Sequence, residues 1–167
     1  MFRMHIPLAL AILTLSLQTG CVVKNIRESQ EAQIKAQSDA SAKNGFGVTW
    51  SNYKAQYEQY LGNIELQRAA LDGYEEKFTD EMRADPQHDA LMKMRATADK
   101  NVAEIVDAYP TLTEWAESKK DAPTIEETQA LNAKYNHMAQ TFARALTTYG
   151  KLRSEYLGLM SRHPEKK

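Results

Sequence analysis

Residues 50–78 read WSNYKAQYEQYLGNIELQRAALDGYEEKF, and within them Trp50, Tyr57, Ile64, Leu71 and Phe78 recur every seven positions. Tyr53, Tyr60, Gln67 and Tyr74 follow the first four of these by three. Large side chains alternating by three and four lay one stripe along a helix, the mark of a helix that packs lengthwise on its neighbours. The spacing predicts a helix over about 51–83, with Gln67 as a polar residue in the seam that sets its register.

Residues 125–162 repeat the device. Tyr135, Phe142, Tyr149 and Tyr156 form one row and Leu131, Met138, Ala145, Leu152 and Leu159 the other. At 1.5 Å per residue the two helices span ~50 and ~57 Å, well beyond an average globular helix. Between them Asp85-Pro86 reads as an N-cap followed by proline at the first helical position. That helix buries Leu91, Met94, Ala98, Val102, Ile105 and Tyr109, with Asn101 among them as a second register-setting polar residue. Pro110 is expected to stop it, and Thr111 with Glu114 would then cap a short helix reaching about Lys119. Thr124 with Glu127 forms another capping box. Residues 21–167 hold 20 Ala against 5 Val and 5 Ile, too few β-branched side chains for a sheet. The expected fold is all-α: an elongated antiparallel bundle of three long helices plus one short helix, since short connections join antiparallel neighbours. Emptying a seam position, as in Leu71→Ala or Leu152→Ala, should cost about 2–5 kcal/mol.

Outward from this body the composition narrows the function. The 167 residues carry 21 Lys+Arg against 22 Asp+Glu, and no basic block marks a nucleic-acid footprint. Mean hydropathy is −0.59 although the first twenty residues are strongly apolar. In that opening stretch Arg3 precedes an apolar run from Ile6 to Leu17, about 12 residues and too short for a spanning helix, which reads as a signal peptide over 1–20. The single Cys, Cys21, follows Leu17-Gln18-Thr19-Gly20 and resembles the lipobox of bacterial lipoproteins, with Gln18 where such boxes usually carry Leu. Acylation of Cys21 would hold the protein on a bilayer, each buried methylene contributing ~0.8 kcal/mol. Val22 and Val23 lack the Asp that resembles an inner-membrane retention signal, so the expected site is the outer membrane, facing the periplasm. Residues 21–48 read as the lipidated Cys and a polar tether, closed by the glycine-rich break Asn44-Gly45-Phe46-Gly47. Residues 24–48 would reach ~25–30 Å as a coil or ~37 Å as a helix. The bundle domain is then 49–164 and the tail 165–167.

No catalytic constellation emerges. His88, His137 and His163 are scattered with no metal-binding spacing, and no nucleophile elbow or phosphate loop is present. No metal, no cofactor and no catalytic residue is expected. Tyrosine is used heavily along both seams, and each phenol needs water or a partner when buried. Two readings follow: a half-open seam with hydroxyls at its boundary, or a groove in which Tyr53, Tyr57, Tyr60, Tyr149 and Tyr156 form a binding face. Gly62, Gly73, Gly150 and Gly158 each cost ~1 kcal/mol inside a helix and suggest close helix approach or a local kink.

Several short stretches resemble the LemA family of membrane-attached helical envelope proteins. Trp50-Ser51-Asn52-Tyr53 is similar to its Trp-Ser segment, and Ala108-Tyr109-Pro110-Thr111-Leu112 resembles its Tyr-Pro-x-Leu breaker. Tyr149-Gly150, Glu155-Tyr156 and Arg162-His163-Pro164 stand at the spacing of its Tyr-Asn, Glu-Tyr and Arg-Phe-Pro positions. Gly62-Asn63-Ile64 matches only part of the family's Ile-Pro-Asn-Leu, and about ten extra residues lie between Pro110 and Tyr149. The resemblance implies a helical, membrane-anchored extracytoplasmic body and brings no reaction or cofactor. The resulting expectation is a non-enzymatic envelope lipoprotein acting as a scaffold, with the bilayer and an unidentified envelope protein as partners and room for a homo-oligomer. The alternative is a ligand-binding or trafficking accessory, a secretion pilotin or a glycan- or peptide-binding module using the tyrosines.

Overall fold

The structure, a computed structural model, describes residues 9–164, with side chains from Arg27 onward. Four helices follow one another: α1 (Ala9–Glu75), α2 (Asp80–Arg83), α3 (Pro86–Lys119) and α4 (Ile125–Arg162), with no strand among the described residues. The termini obey the local chemistry of their sequences. Asp85 caps α3 by accepting from the Gln87 N–H at 2.8 Å, with Pro86 where no N–H is needed. At α4 the Thr124 hydroxyl accepts from the Glu127 N–H and the Glu127 carboxylate accepts from the Thr124 N–H, closing a reciprocal box.

Contacts between the long helices give their directions. Along α1 and α3 the partners run in opposite order, Phe46 with Trp115, Tyr57 with Tyr109 and Arg68 with Asp99. Along α1 and α4 they run in the same order, Ala42 with Thr128, Tyr57 with Phe142 and Phe78 with Tyr156. The chain therefore goes up, down and up, and the three stripes face one core. Trp50, Tyr57, Ile64, Leu71 and Phe78 are all buried, as are Leu131, Met138, Phe142, Ala145, Tyr149, Leu152, Tyr156 and Leu159. Helix α3 contributes Leu91, Ala98, Val102, Ile105, Leu112 and Ala116.

Three expectations are corrected. The glycines at 45 and 47 do not break the chain, which stays helical through them, and Phe46 between them is fully enclosed. Two helical glycines cost ~2 kcal/mol, while burying Phe46 alone returns ~1.5–3, and Ala42 is buried one turn earlier. The packed body thus begins at Ala42 and not at 49, and residues 27–37 continue α1 beyond it, exposed on every side.

Pro110 does not end a helix either. It lies inside α3 on an exposed position, where the carbonyl four residues back can turn to water. Beyond it Leu112 and Ala116 are buried and Trp115 packs on Phe46, which outweighs a cost of ~3 kcal/mol for an interior proline. The short helix is consequently α2, at the turn between the first two long helices, and the proposed cap at Thr111 does not exist. Phe78 and Met82 fill that corner. Finally, Asn101 is exposed rather than in the seam, and Gln67 is half-buried.

Candidate functional site

The five tyrosines singled out in the sequence do not make one open face. Tyr149 and Tyr156 are fully enclosed and Tyr53 and Tyr57 nearly so, because both seven-residue rows point inward. Only Tyr60 is half-exposed, its ring edge-on to Phe142 at 6.0 Å. Tyr57 stacks on Tyr109 with centroids 3.8 Å apart and planes 4° from parallel, and Tyr53 stands 6.1 Å from the same ring. This aromatic layer continues through Trp50, whose indole N–H donates to Glu117 Oε1 at 2.8 Å, to Phe46 and Trp115. Burial first, then the neighbouring phenols, pushes Tyr53 up to about 12 and raises Tyr57. These hydroxyls therefore stay protonated at neutral pH and offer no base.

A polar layer occupies the other half of the bundle. Asp99 Oδ1 accepts from the Tyr149 hydroxyl at 2.6 Å and from Arg68 Nε at 2.7 Å. One turn away Arg95 donates to both Asp72 and Glu75, and Glu75 Oε1 also accepts from the Tyr156 hydroxyl at 2.6 Å. Burial raises Tyr149 to about 12, with the bond to Asp99 adding to it; the same causes, with Glu75, raise Tyr156. For Arg95 the carboxylates of Asp72 and Glu75 outweigh burial and raise it further above its ordinary value. Two cations and three carboxylates thus satisfy the two enclosed phenols and tie α1 to α3 and α4 in one register. Nothing in the spacing pairs them: each charge flanks a seam, and Arg68 meets Asp99 across 31 residues.

A third feature is open. Between α3 and α4 a solvent-exposed groove runs from Met94 and Thr148 at one end to Trp115 and Lys134 at the other, in two stretches of about 430 and 570 Å³ that meet at His137. The first stretch has Ala98 and Ala145 in its floor and Thr97, Thr141 and Thr148 at its sides, while the second is lined by Tyr53, Ile105, Leu112 and Trp115 together with Ala108 and Thr111. Lys134, His137 and Arg144 stand along the α4 wall, exposed and without an ion pair among the described residues. Glu104 is the facing acid.

The remaining two histidines among the described residues both lie near Asp85 at the start of α3. His163 Nε2 is 3.1 Å from Asp85 Oδ2 at the start of α3, and the His88 ring packs edge-on to Phe78, its nitrogens enclosed without a hydrogen-bond partner. Among the described residues no group of three His, Cys, Asp or Glu is placed to hold a metal ion, and no helix has an apolar window long enough to cross a membrane. The signal peptide rests on residues 1–20 and the anchor on Cys21; the side chains of both, and the tail 165–167, lie outside the described residues. Comparison with known protein families, with curated proteins and with solved structures finds no match.

Proposed function

We propose that the protein is an envelope lipoprotein without enzymatic activity, anchored through acylated Cys21, that acts as a scaffold through contacts made by the outer faces of its helical bundle. The observation that carries this reading is α1. One uninterrupted helix of 67 residues joins the segment containing Cys21 to the core of the bundle, and its residues 27–37 are all exposed. Such a stalk has no packing role, and it holds a polar body away from its point of attachment. The seam residues from Trp50 to Phe78 and from Leu131 to Leu159 are packed along the bundle and the groove beside them is open, which supports a scaffold over a small-molecule receptor, whose ligand would ordinarily be enclosed in an apolar pocket. The LemA-like character of the bundle and its outer-membrane destination belong to the same proposal; the departure at Tyr109-Pro110, which here continues a helix, weighs against the first.

The α3/α4 groove favours the second reading, an accessory that binds an extended ligand, with the groove as the binding surface and Tyr53, alone of the five tyrosines, lining it. Intact-mass analysis of the membrane-extracted protein tests the anchor. Acyl mass on Cys21, and release of Cys21→Ser into the soluble fraction at high salt, are expected; an unmodified thiol on a protein that still sediments with membranes refutes it. In-cell photo-crosslinking from position 144 tests the face, and adducts absent from a probe at the enclosed position 152 are the expected result.

A further inference from the structure

We infer that the α3/α4 groove receives helix α1 of a second copy of this chain. The inference gives a partner to the helix-face reading above and does not depend on the lipid anchor. On α4, His137, Arg144 and Lys151 follow one another every seven residues, all exposed and none in an ion pair among the described residues. On α1, Glu58, Glu65 and Asp72 do the same; Glu58 and Glu65 make no ion pair there, and Asp72 is shared with Arg95. Each row spans ~21 Å with side chains ~10.5 Å apart, so two rods laid side by side in opposite directions bring Arg144 opposite Glu65 and Lys151 opposite Glu58.

The surfaces between the charges match as well. Beside the acidic row α1 shows Ala55, Gly62 and Ala69, all exposed, and a methyl group added at Gly62 would meet nothing within 4 Å of its own chain. Glycine in mid-helix costs ~1 kcal/mol, and no contact inside the protomer accounts for it here. A flat, small-residue helix face suits the stretch of groove floored by Ala98 and Ala145, where two backbones can approach closely. Because the acidic face and the groove lie on different sides of one protomer, the contact is head-to-tail, and each added copy leaves a groove and a face free.

Sedimentation velocity of the full chain across a concentration series tests this. Wild type should form a ladder of species that grows with concentration and dissolves in high salt. Reversing the α4 side (Arg144→Glu in the groove with Lys151→Glu about one turn beyond its Thr148 end) or the acidic face (Glu58→Lys with Glu65→Lys) should weaken association by about tenfold or more. Both changes fall on exposed positions, and unaltered circular dichroism checks the fold. Mixing the two reversed proteins should restore assembly, since each then meets opposite charge on the other. A wild type that stays monomeric at low salt overturns the inference, as does association that survives both reversals. A monomer that binds a polyglutamate peptide through Arg144 also overturns it, assigning the groove to a foreign acidic chain.

Discussion

Phe46→Ala separates a helical bundle that starts at Ala42 from a tether that lasts to residue 48. Phe46 has no exposed surface and its ring lies 5.8 Å from that of Trp115, tilted by 55°. Removing a fully buried Phe costs about 3–5 kcal/mol, and the site sits near the end of the bundle where Trp115 can move into part of the void, so about 3 is expected. In a chain of this size that lowers Tm by roughly 6–12 °C. Urea and thermal unfolding of the full chain, followed by circular dichroism, measure it. Val48, two positions on and 55% exposed, provides the control, and Val48→Ala should stay within about 0.5 kcal/mol of wild type. If Phe46→Ala melts with wild type while Leu71→Ala loses its ~2–5 kcal/mol, the first packed turns of α1 are not part of the fold.

Pro110→Ala should stabilise by about 2 kcal/mol, because it restores a helical N–H at an exposed position at a smaller cost in unfolded-state entropy; a loss of stability in urea unfolding would mean that α3 ends there after all. Tyr149→Phe removes one of the donors to Asp99 and should cost about 1–2 kcal/mol; an unchanged midpoint would show that Arg68 and Arg95 alone satisfy the carboxylate. Stability should fall on both sides of a pH plateau. On the alkaline side Tyr53 and Tyr149 are raised to about 12 from an ordinary 10, and Tyr57 and Tyr156 are raised as well, so their contribution is complete below pH 10 and lost as pH climbs toward 12; ultraviolet titration should show these phenols ionising together with unfolding. On the acid side Asp85 is held below its ordinary range by the Gln87 N–H and then His163, so its contribution is present above pH 4 and lost as pH falls through the lowered value; Asp85→Asn should flatten that limb of the profile.

The seams were legible because burial repeats with a period that the sequence displays directly: every large residue in the rows of 50–78 and 131–159 is buried or partly buried. The interruptions mislead for one physical reason. Glycine and proline carry local penalties of ~1 and ~3 kcal/mol, and a reading from local preference stops at them, although tertiary burial exceeds those sums. The clue was present at both places: Leu112 and Ala116 keep the three-and-four spacing beyond Pro110, and Phe46 stands one turn before Trp50. Arg68, Arg95 and Asp99 were not legible, since charges beside a seam acquire partners only once the helices are set in register. The open groove was hidden as well, because Thr97, Thr141 and Thr148 give no hydrophobic signal and Ile105, Leu112 and Trp115 carry the same signal as core residues.

The unbroken course of α1 has a mechanical side. A helix without a hinge fixes height and heading together, so its length works as a ruler and its phase as a compass. Excising seven residues between 27 and 41 would draw the bundle ~10 Å closer to its base and turn it by only ~20°. Excising two would shift it by just ~3 Å yet swing it through ~160°, presenting the opposite side to whatever stands beside it. Orientation, more than reach, is what this stem imposes on the body it carries.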